Sequence, residues 1–343
     1  MGVKVLLGFQ PARNELTHSI PPKTNKHRRP RGDTTDLAEI LVLGSDGVIG
    51  KPLCRELERR GHNIIKADSR HTEENNHVRC DVSEFRQVER LFSKHFDFVY
   101  NLAAEFGRRN GEDYYEQVWK TNVIGLKHLL TLQKTKRFGL VQFSSSEIYG
   151  EPGLQEGAYL DEAISTRMPL FQNNDYAISK WVNELQVRNA TIVDGSETVL
   201  VRLFNAYGPG EYYTPYRSAV CQFIYKALFR QGYQVYLGYR RVFMYIDDLI
   251  PTLANISDRF RAGRIYNVGG TEYVEVKKVS DMILGYLGLN DSMVEYVPKE
   301  VHNTRNKRPS IELARAELGH DPKITLEQGI PKTIEWMKKA YAP

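Results

Sequence analysis

The sequence predicts an α/β fold, a doubly wound parallel sheet with a smaller C-terminal lobe. Three observations carry this. Residues 40–43, ILVL, form an unbroken apolar run, as expected of a strand buried on both faces. Further apolar runs, within 96–104, 138–146 and 198–208, alternate with amphipathic helical segments, the pattern of successive βα units. The texture then changes after about residue 208. The stretch PGEYYTPYRSAV concentrates Pro, Tyr and Gly, and mainly helical patterns follow it.

In chain order, residues 1–38 read as a basic, flexible extension. Residues 1–33 hold seven Lys/Arg against two Asp/Glu, with KHRRPR at 26–31, and carry the whole net charge of +5. The other 310 residues balance at 40 against 40, so the body of the chain points to no nucleic-acid partner. The extension itself fits a disordered tail, with a targeting or polyanion-binding role open. Leu6 stands where an acylation signal starting at Gly2 needs Ser or Thr. Next come a strand, a Gly-rich turn and a helix from about Val48 to Arg60, stopped by Gly61 as C-cap. The strand NIIKA leads to Asp68. FDFVYNLAA precedes a helix around 112–134, FGLVQFSSS precedes a helix around 176–190, and TVLVRLFNAYG ends a first domain spanning 39–208. Segments 209–239 and 271–343 form the second lobe, with helices near 218–231, 276–287 and 327–340. VFMYIDD (242–248) and RIYNVGG (264–270) are expected to return to the first domain.

Composition is 41% hydrophobic and 26% charged, and no apolar run approaches the roughly 20 residues of a membrane span. The three cysteines, Cys54, Cys80 and Cys221, lie far apart without metal-ligand spacing. They imply a reducing, cytoplasmic setting and no disulfide framework or metal site.

Gly44, Gly47 and Gly50 follow the first strand and open a helix. Glycines there let the backbone turn tightly and approach a pyrophosphate, whose charge a helix N-terminus favours. Asp68, at the end of the next strand, suits the ribose hydroxyls and repels a 2′-phosphate, favouring NAD over NADP. Arg70 tempers that preference. The expected fold is therefore Rossmann-like. Asp81, in RCDVSE, either caps the following helix or touches adenine.

Tyr176 and Lys180 stand four apart in DYAISKW, on one helix face. A free phenol has a pKa of about 10, and lowering it by roughly 3 units takes about 4 kcal/mol, which a nearby ammonium can contribute. Ser145, in FSSSEIYG at the end of a strand, can hold the same oxygen. Together they offer a proton acceptor for an alcohol beside a hydride acceptor.

With these pieces in place, residues 39–340 resemble the extended short-chain dehydrogenase/reductases, and more narrowly the nucleotide-sugar epimerase/dehydratase/decarboxylase group. The matching motifs occur in family order: VLGSDGVIG, Asp68, CDV, NLAA, TNVIG, FSSSEIYG, YAISK, RLFNAYGPG, RVFMYIDD and LGHDPKITLEQGI. The resemblance implies an NAD site formed by Gly44, Gly47, Val48, Ile49 and Gly50 of the turn, with Asp68, Asp81 and Val82. Leu102, Ala103 and Ala104, after Asn101, would line the cofactor. Asn122 would support the site from a helix or simply bond backbone. It implies Ser145, Tyr176 and Lys180 as the catalytic triad, with Ser146 and Asn205 near the substrate, a nucleotide-diphosphate sugar. Arg217, Arg241 and Arg308 fall where the family places arginines near phosphates or sugar, although Arg217 and Arg308 also fit solvent ion pairs. A homodimer is expected, and no membrane partner.

Some positions depart from the family pattern. Asp46 and Val48 replace the usual small residue and aromatic of the turn, and an acid near a pyrophosphate is unexpected. Ser310 replaces an Asp after Arg308-Pro309. Ser144 and Tyr149 read as structural, and Asp247 and Asp248 as helix-capping. After Ser145 a dehydratase carries Asp then Glu, acid then base. Here Ser146 and Glu147 leave the base without the acid, although Glu147 also fits an exposed loop carboxylate. The Ser–Glu pair leans the reading toward decarboxylation of a nucleotide-linked glucuronic acid. Epimerisation stands next, then 4,6-dehydration, with a non-catalytic NAD-binding sensor or an ordinary alcohol reductase as the remaining classes.

Overall fold

The computed structural model describes residues 37–73, 76–151 and 153–342, so expectations for the basic extension lie outside the described residues. Six strands are labelled here: β1 (Glu39–Leu43), β2 (Asn63–Asp68), β3 (His77–Arg79), β4 (Phe98–Asn101), β5 (Gly139–Ser145) and β6 (Thr198–Leu203). With the strand Ile265–Val268 they form a seven-stranded sheet, ordered Ile265–Val268, β6, β5, β4, β1, β2, β3, and every neighbouring pair is parallel. The chain runs outward from β1 to β3, then crosses back to β4 and onward. The order therefore reverses between β1 and β4, and the crevice at the strands' C-terminal ends is where such sheets take ligands.

The apolar run of β1 serves both sheet faces. Ile40 and Val42 enter one core, with Leu53, Tyr100 and Leu253. Leu41 and Leu43 enter the opposite core, with Leu126, Leu130 and Phe138. Strand β5 is buried along its whole length, which holds its C-terminal Ser145 at a fixed depth.

The first helix starts at Gly50, two residues later than expected, because Gly47, Val48 and Ile49 belong to the turn. Gly61 follows its end with φ +93°. The helix expected over 112–134 is broken. Helix Arg108–Asp113 comes first, then the turn Tyr115–Val118, a π-helical stretch Trp119–Ile124, and helix Gly125–Lys136. The wide π turn holds the buried Asn122 side chain against the backbone of Glu105, accepting from its N–H and donating to its carbonyl, both at 2.9 Å.

In the segment 242–248, Met244–Tyr245 pairs in parallel with Ala206–Tyr207 at the end of the first domain. The segment forms the end of strand Arg240–Val242, the two-residue strand Met244–Tyr245 and the start of helix Ile246–Asp258, and it does not enter the main sheet. Arg240–Val242 pairs instead with Tyr273–Glu275 and Asn306–Lys307 in a three-stranded sheet. Asp248 lies in the first turn of that helix, yet its carboxylate accepts from the N–H groups of Lys323 and Ile324, tying two segments together instead of capping its own helix. Helices Ala219–Leu228, Val276–Leu287 and Leu326–Ala340 pack with the parallel pair Tyr233–Tyr236 and Val294–Val297 to build the rest of the second lobe.

Candidate active site

A cavity of about 1030 Å³ opens at the C-terminal ends of the strands. Its floor is the glycine turn. Gly44 has φ +77°, and a Cβ there would stand 2.7 Å from the Ala103 nitrogen. A Cβ on Gly50 would stand 2.1 Å from the Gly44 carbonyl oxygen. Any side chain would thus destroy a bare backbone cradle at a helix N-terminus, the form a dinucleotide pyrophosphate needs. Val48, Ile49, Asp81, Val82, Leu102, Ala103 and Ala104 line the same cavity. Asp68, buried at the end of β2, accepts from the N–H groups of Asp46 and Arg70, both at 3.1 Å, which fixes its carboxylate at the cavity wall. Asp46 itself presents no conflict. Its carboxylate turns to His77 Nε2 at 3.3 Å, and only its backbone serves the turn. Arg70 donates to the Asp46 carbonyl at 2.9 Å. Asp81 lines the cavity and accepts from the N–H and hydroxyl of Ser83, while helix Phe85–Leu91 has no side-chain cap.

Asn174 caps helix Asp175–Asp194, accepting from the Ala177 N–H at 2.8 Å, and this sets the helix that presents Tyr176 and Lys180. Ser145 lies beside the Tyr176 phenol and works to lower it, and its hydroxyl accepts from the Glu147 N–H at 3.2 Å. Lys180 donates to the Phe143 carbonyl at 3.0 Å and lies 5.9 Å from the Tyr176 ring centroid. Without ligand, burial pushes the phenol up to about 12, against Ser145 and with the Glu147 charge. Burial also pushes Lys180 down to about 8.

Glu147 departs furthest from its expected part as a base. Its side chain is 13% exposed, and it pairs with Lys307, which is itself wholly enclosed. Burial works to raise the carboxyl, but Lys307, Arg108 and Arg241 outweigh it and hold it down to about 2. A carboxylate so firmly ionised accepts protons poorly at neutral pH. Its second oxygen, Oε2, is buried without a hydrogen-bond partner.

Ser146, Asn205, Arg217 and Arg241 also line the cavity. Asn205 donates to the Val242 carbonyl at 3.0 Å. Arg217 stacks 4.4 Å from the Phe106 ring centroid. Arg241 is buried, and its terminal nitrogens bond the carbonyls of Arg240, Thr304 and Arg305 and the Asn303 side chain, so it braces a loop as well as facing the site. Two expected residues stand away from the cavity wall. Arg308 reaches the Gly157 carbonyl and stacks on Tyr159 at 4.1 Å, because the strand end at Lys307 turns its side chain to the other side. Asn122 bonds Glu105 and Ser179 beneath the site and supports it from behind. Ser144 and Tyr149 join a buried network through Glu184, Arg202 and Asn267.

Sequence reasoning missed Arg108, Glu300 and Asn303 on the cavity wall, and Lys307 behind Glu147. Arg108 had a signal: it follows β4 on the ligand-binding edge of the sheet. Lys307 had none, since its meaning comes from a residue 160 positions away.

This site sits in a chain whose residues 40–269 match the model of the NAD dependent epimerase/dehydratase family, and the chain belongs to that family. Its cofactor is accordingly NAD. A UDP-N-acetyl-alpha-D-glucosaminuronate decarboxylase of Bacillus cytotoxicus is 26% identical over 317 residues, covering 87% of this chain and 97% of the relative. A dTDP-glucose 4,6-dehydratase of Streptomyces griseus is 30% identical over 228 residues, covering 64% of this chain and 65% of the relative. The solved structure of the epimerase Mth375 from Methanothermobacter thermautotrophicus has the same fold, with TM-score 0.80 at 24% identity, covering 90% of this chain and 94% of that one.

Proposed function

We propose that this enzyme decarboxylates a nucleotide-linked glucuronic acid through transient oxidation at C4. The observation that carries the reading is the charge around Glu147. Lys307, Arg108 and Arg241 gather around Glu147, Glu300 and Glu151 beside Ser145 and Tyr176. Such a cluster of cationic donors at the cavity suits the carboxylate that a uronic acid carries at C6 and a neutral hexose lacks. The Bacillus cytotoxicus decarboxylase, similar over nearly its whole length, agrees with this.

When bound, NAD supplies the hydride acceptor and later the donor. Tyr176 takes the proton of the C4 hydroxyl while Ser145 holds that oxygen, and Lys180 balances the phenolate charge. The product of this step is a β-keto acid. Its C5–C6 bond breaks, carbon dioxide leaves, and the electron pair moves to the C4 oxygen as an enolate. Ser145 and the now-protonated Tyr176 donate hydrogen bonds to that oxygen. Decarboxylation needs no base at C5, which matches a Glu147 held ionised by Lys307. Dehydration needs an acid at position 146, where Ser146 stands, and a free base at 147.

C4 epimerisation is the second reading, because it shares the first oxidation and needs neither group. Mass spectrometry after incubation with nucleotide uronic acids and nucleotide hexoses separates the readings. Loss of carbon dioxide supports the proposal, and loss of water means dehydration. Unchanged mass with a new chromatographic peak means epimerisation, and binding without turnover favours a sensor.

A homodimer is also proposed. Ile178, Leu185 and Ile192 recur every seven residues on one exposed face of helix Asp175–Asp194. Such an apolar stripe fits a second copy of the same helix. The three buried cysteines, none of them in a disulfide, fit a cytoplasmic setting, and among the described residues no helix is long and apolar enough to cross a membrane.

A further inference from the structure

The glycine turn is tied to its neighbours residue by residue. The N–H groups of Gly44 and Ser45 donate to the Ala67 carbonyl at 2.8 and 3.2 Å, and that of Asp46 donates to Oδ2 of Asp68 at 3.1 Å. Oδ1 of Asp68 accepts from the Arg70 N–H at 3.1 Å and from its guanidinium at 3.4 Å. That guanidinium also donates to the Asp46 carbonyl at 2.9 Å. The Arg70 side chain is 63% exposed, so packing restrains it little. Both holds on the Asp68 carboxylate therefore run through Asp46. The Asp46 side chain goes elsewhere: its carboxylate lies 3.3 Å from Nε2 of His77, the first residue of β3. These two side chains are 7% and 1% exposed, and His77 Nε2 has no hydrogen-bond partner, so each group relies on the other for compensation. Neither residue lines the cofactor cavity.

We infer that Asp46 and His77 are positioning residues for cofactor recognition: the pair anchors the turn to β3 and so aims Asp68 at the 2′-hydroxyl of the adenosine ribose, without touching NAD. The inference rests on Asp68 reading that ribose and is independent of the reaction at the sugar. A carboxylate selects a hydroxyl only while its oxygens are held in place, and the residues that hold it count as much as the carboxylate. With His77 removed, the Asp46 carboxylate is left nearly out of water beside no cation or donor. It must rotate toward solvent, the backbone of Asp46 moves with it, and Asp68 loses its aim. The pair also accounts for an acid in a turn that faces a pyrophosphate, because His77 draws that charge away from the cradle.

The test equilibrates the full-length NAD-loaded enzyme with an excess of NAD and, in equal amount, its analogue lacking the adenosine 2′-hydroxyl. Mass spectrometry of the cofactor released on denaturation gives the bound ratio, and no turnover of sugar is needed. Wild type is expected to prefer NAD, and Asp68→Asn to lose that preference. His77→Ala is expected to lower the preference roughly tenfold, the scale of a hydrogen bond to a charged group. His77→Gln keeps a side-chain N–H for Asp46 and should restore most of it. Added to Asp68→Asn, His77→Ala should change the ratio no further, because both act through one carboxylate. Asp46→Asn keeps the shape and removes the charge; it should move the ratio the same way, and it decides the matter if His77→Ala does not fold. A wild-type ratio in His77→Ala or in Asp46→Asn overturns the inference, as does a His77→Ala loss that persists in full on Asp68→Asn. A wild-type enzyme indifferent to the 2′-hydroxyl removes the ribose role of Asp68, and the inference with it.

Discussion

Replacing Lys307 by Met tests the charge cluster most directly. Lys307 is wholly buried and pairs with Glu147, whose carboxyl stands at about 2 against an ordinary 4.5. Burial pushes Lys307 the other way from a stabilised cation, down to about 7, so the pair's two shifts oppose one another and the cost of a stranded charge decides the outcome. Removing one partner of a buried pair costs about 3–5 kcal/mol because the other charge is left uncompensated. Arg108 and Arg241 remain near Glu147, so the expected loss for Lys307→Met is about 2–3 kcal/mol at neutral pH. The sign with pH follows from the direction of the shift. A depressed carboxyl stabilises the fold fully above its ordinary value of 4.5, and that contribution is lost as pH falls toward 2. The gap between wild type and variant should therefore be widest at neutral pH and close on acidification. Urea unfolding of both proteins at neutral pH and again below the ordinary carboxyl range measures this. The double variant Glu147→Gln/Lys307→Met should recover part of the loss, because no buried charge is stranded. A Lys307→Met protein within about 0.5 kcal/mol of wild type, or a double variant whose losses simply add, would refute the reasoning.

Tyr176→Phe should abolish hydride transfer, by about 10²–10⁴-fold or more, while NAD stays bound; stopped-flow absorbance of the reduced cofactor, with cofactor content after gel filtration, checks both halves. Gly50→Ala should prevent stable cofactor binding, since its Cβ meets the Gly44 oxygen at 2.1 Å, whereas Gly47→Ala, at 3.2 Å, should be milder; calorimetric NAD titration ranks the two. Leu185→Glu places a charge in the exposed apolar stripe and should shift a dimer toward monomer, read by sedimentation, with the circular dichroism spectrum unchanged.

Much of the architecture was legible because its signals are local. The apolar run of β1 announced a strand buried on both faces, and the Gly44–Gly47–Gly50 spacing announced a backbone cradle. The first helix was legible to within two residues at its start, and Gly61 marked its stop. The helix over 112–134 was less so: the chain bends at Tyr114, and its π stretch holds Asn122 against Glu105, a contact between elements. That Met244–Tyr245 pairs with Ala206–Tyr207 outside the main sheet was not legible, because apolar periodicity does not say which sheet a strand joins. Arg308 looked like a site residue from its place in the family motif, but the strand end beside it points its side chain away.

The residues that can bear proton and hydride chemistry were thus determined by the sequence alone. Tyr176 and Lys180 lie one helical turn apart, and Ser145 ends a strand, so propensity and spacing bring them to one edge of the sheet. What those groups can do was decided by the tertiary structure. Burial raises the Tyr176 phenol to about 12 and lowers Lys180 to about 8. The pairing with Lys307, distant in sequence, changed Glu147 from a candidate base into a fixed anion. The physical reason is that a side chain's charge state depends on desolvation and on neighbours within a few ångströms, and chain topology, not sequence order, sets both.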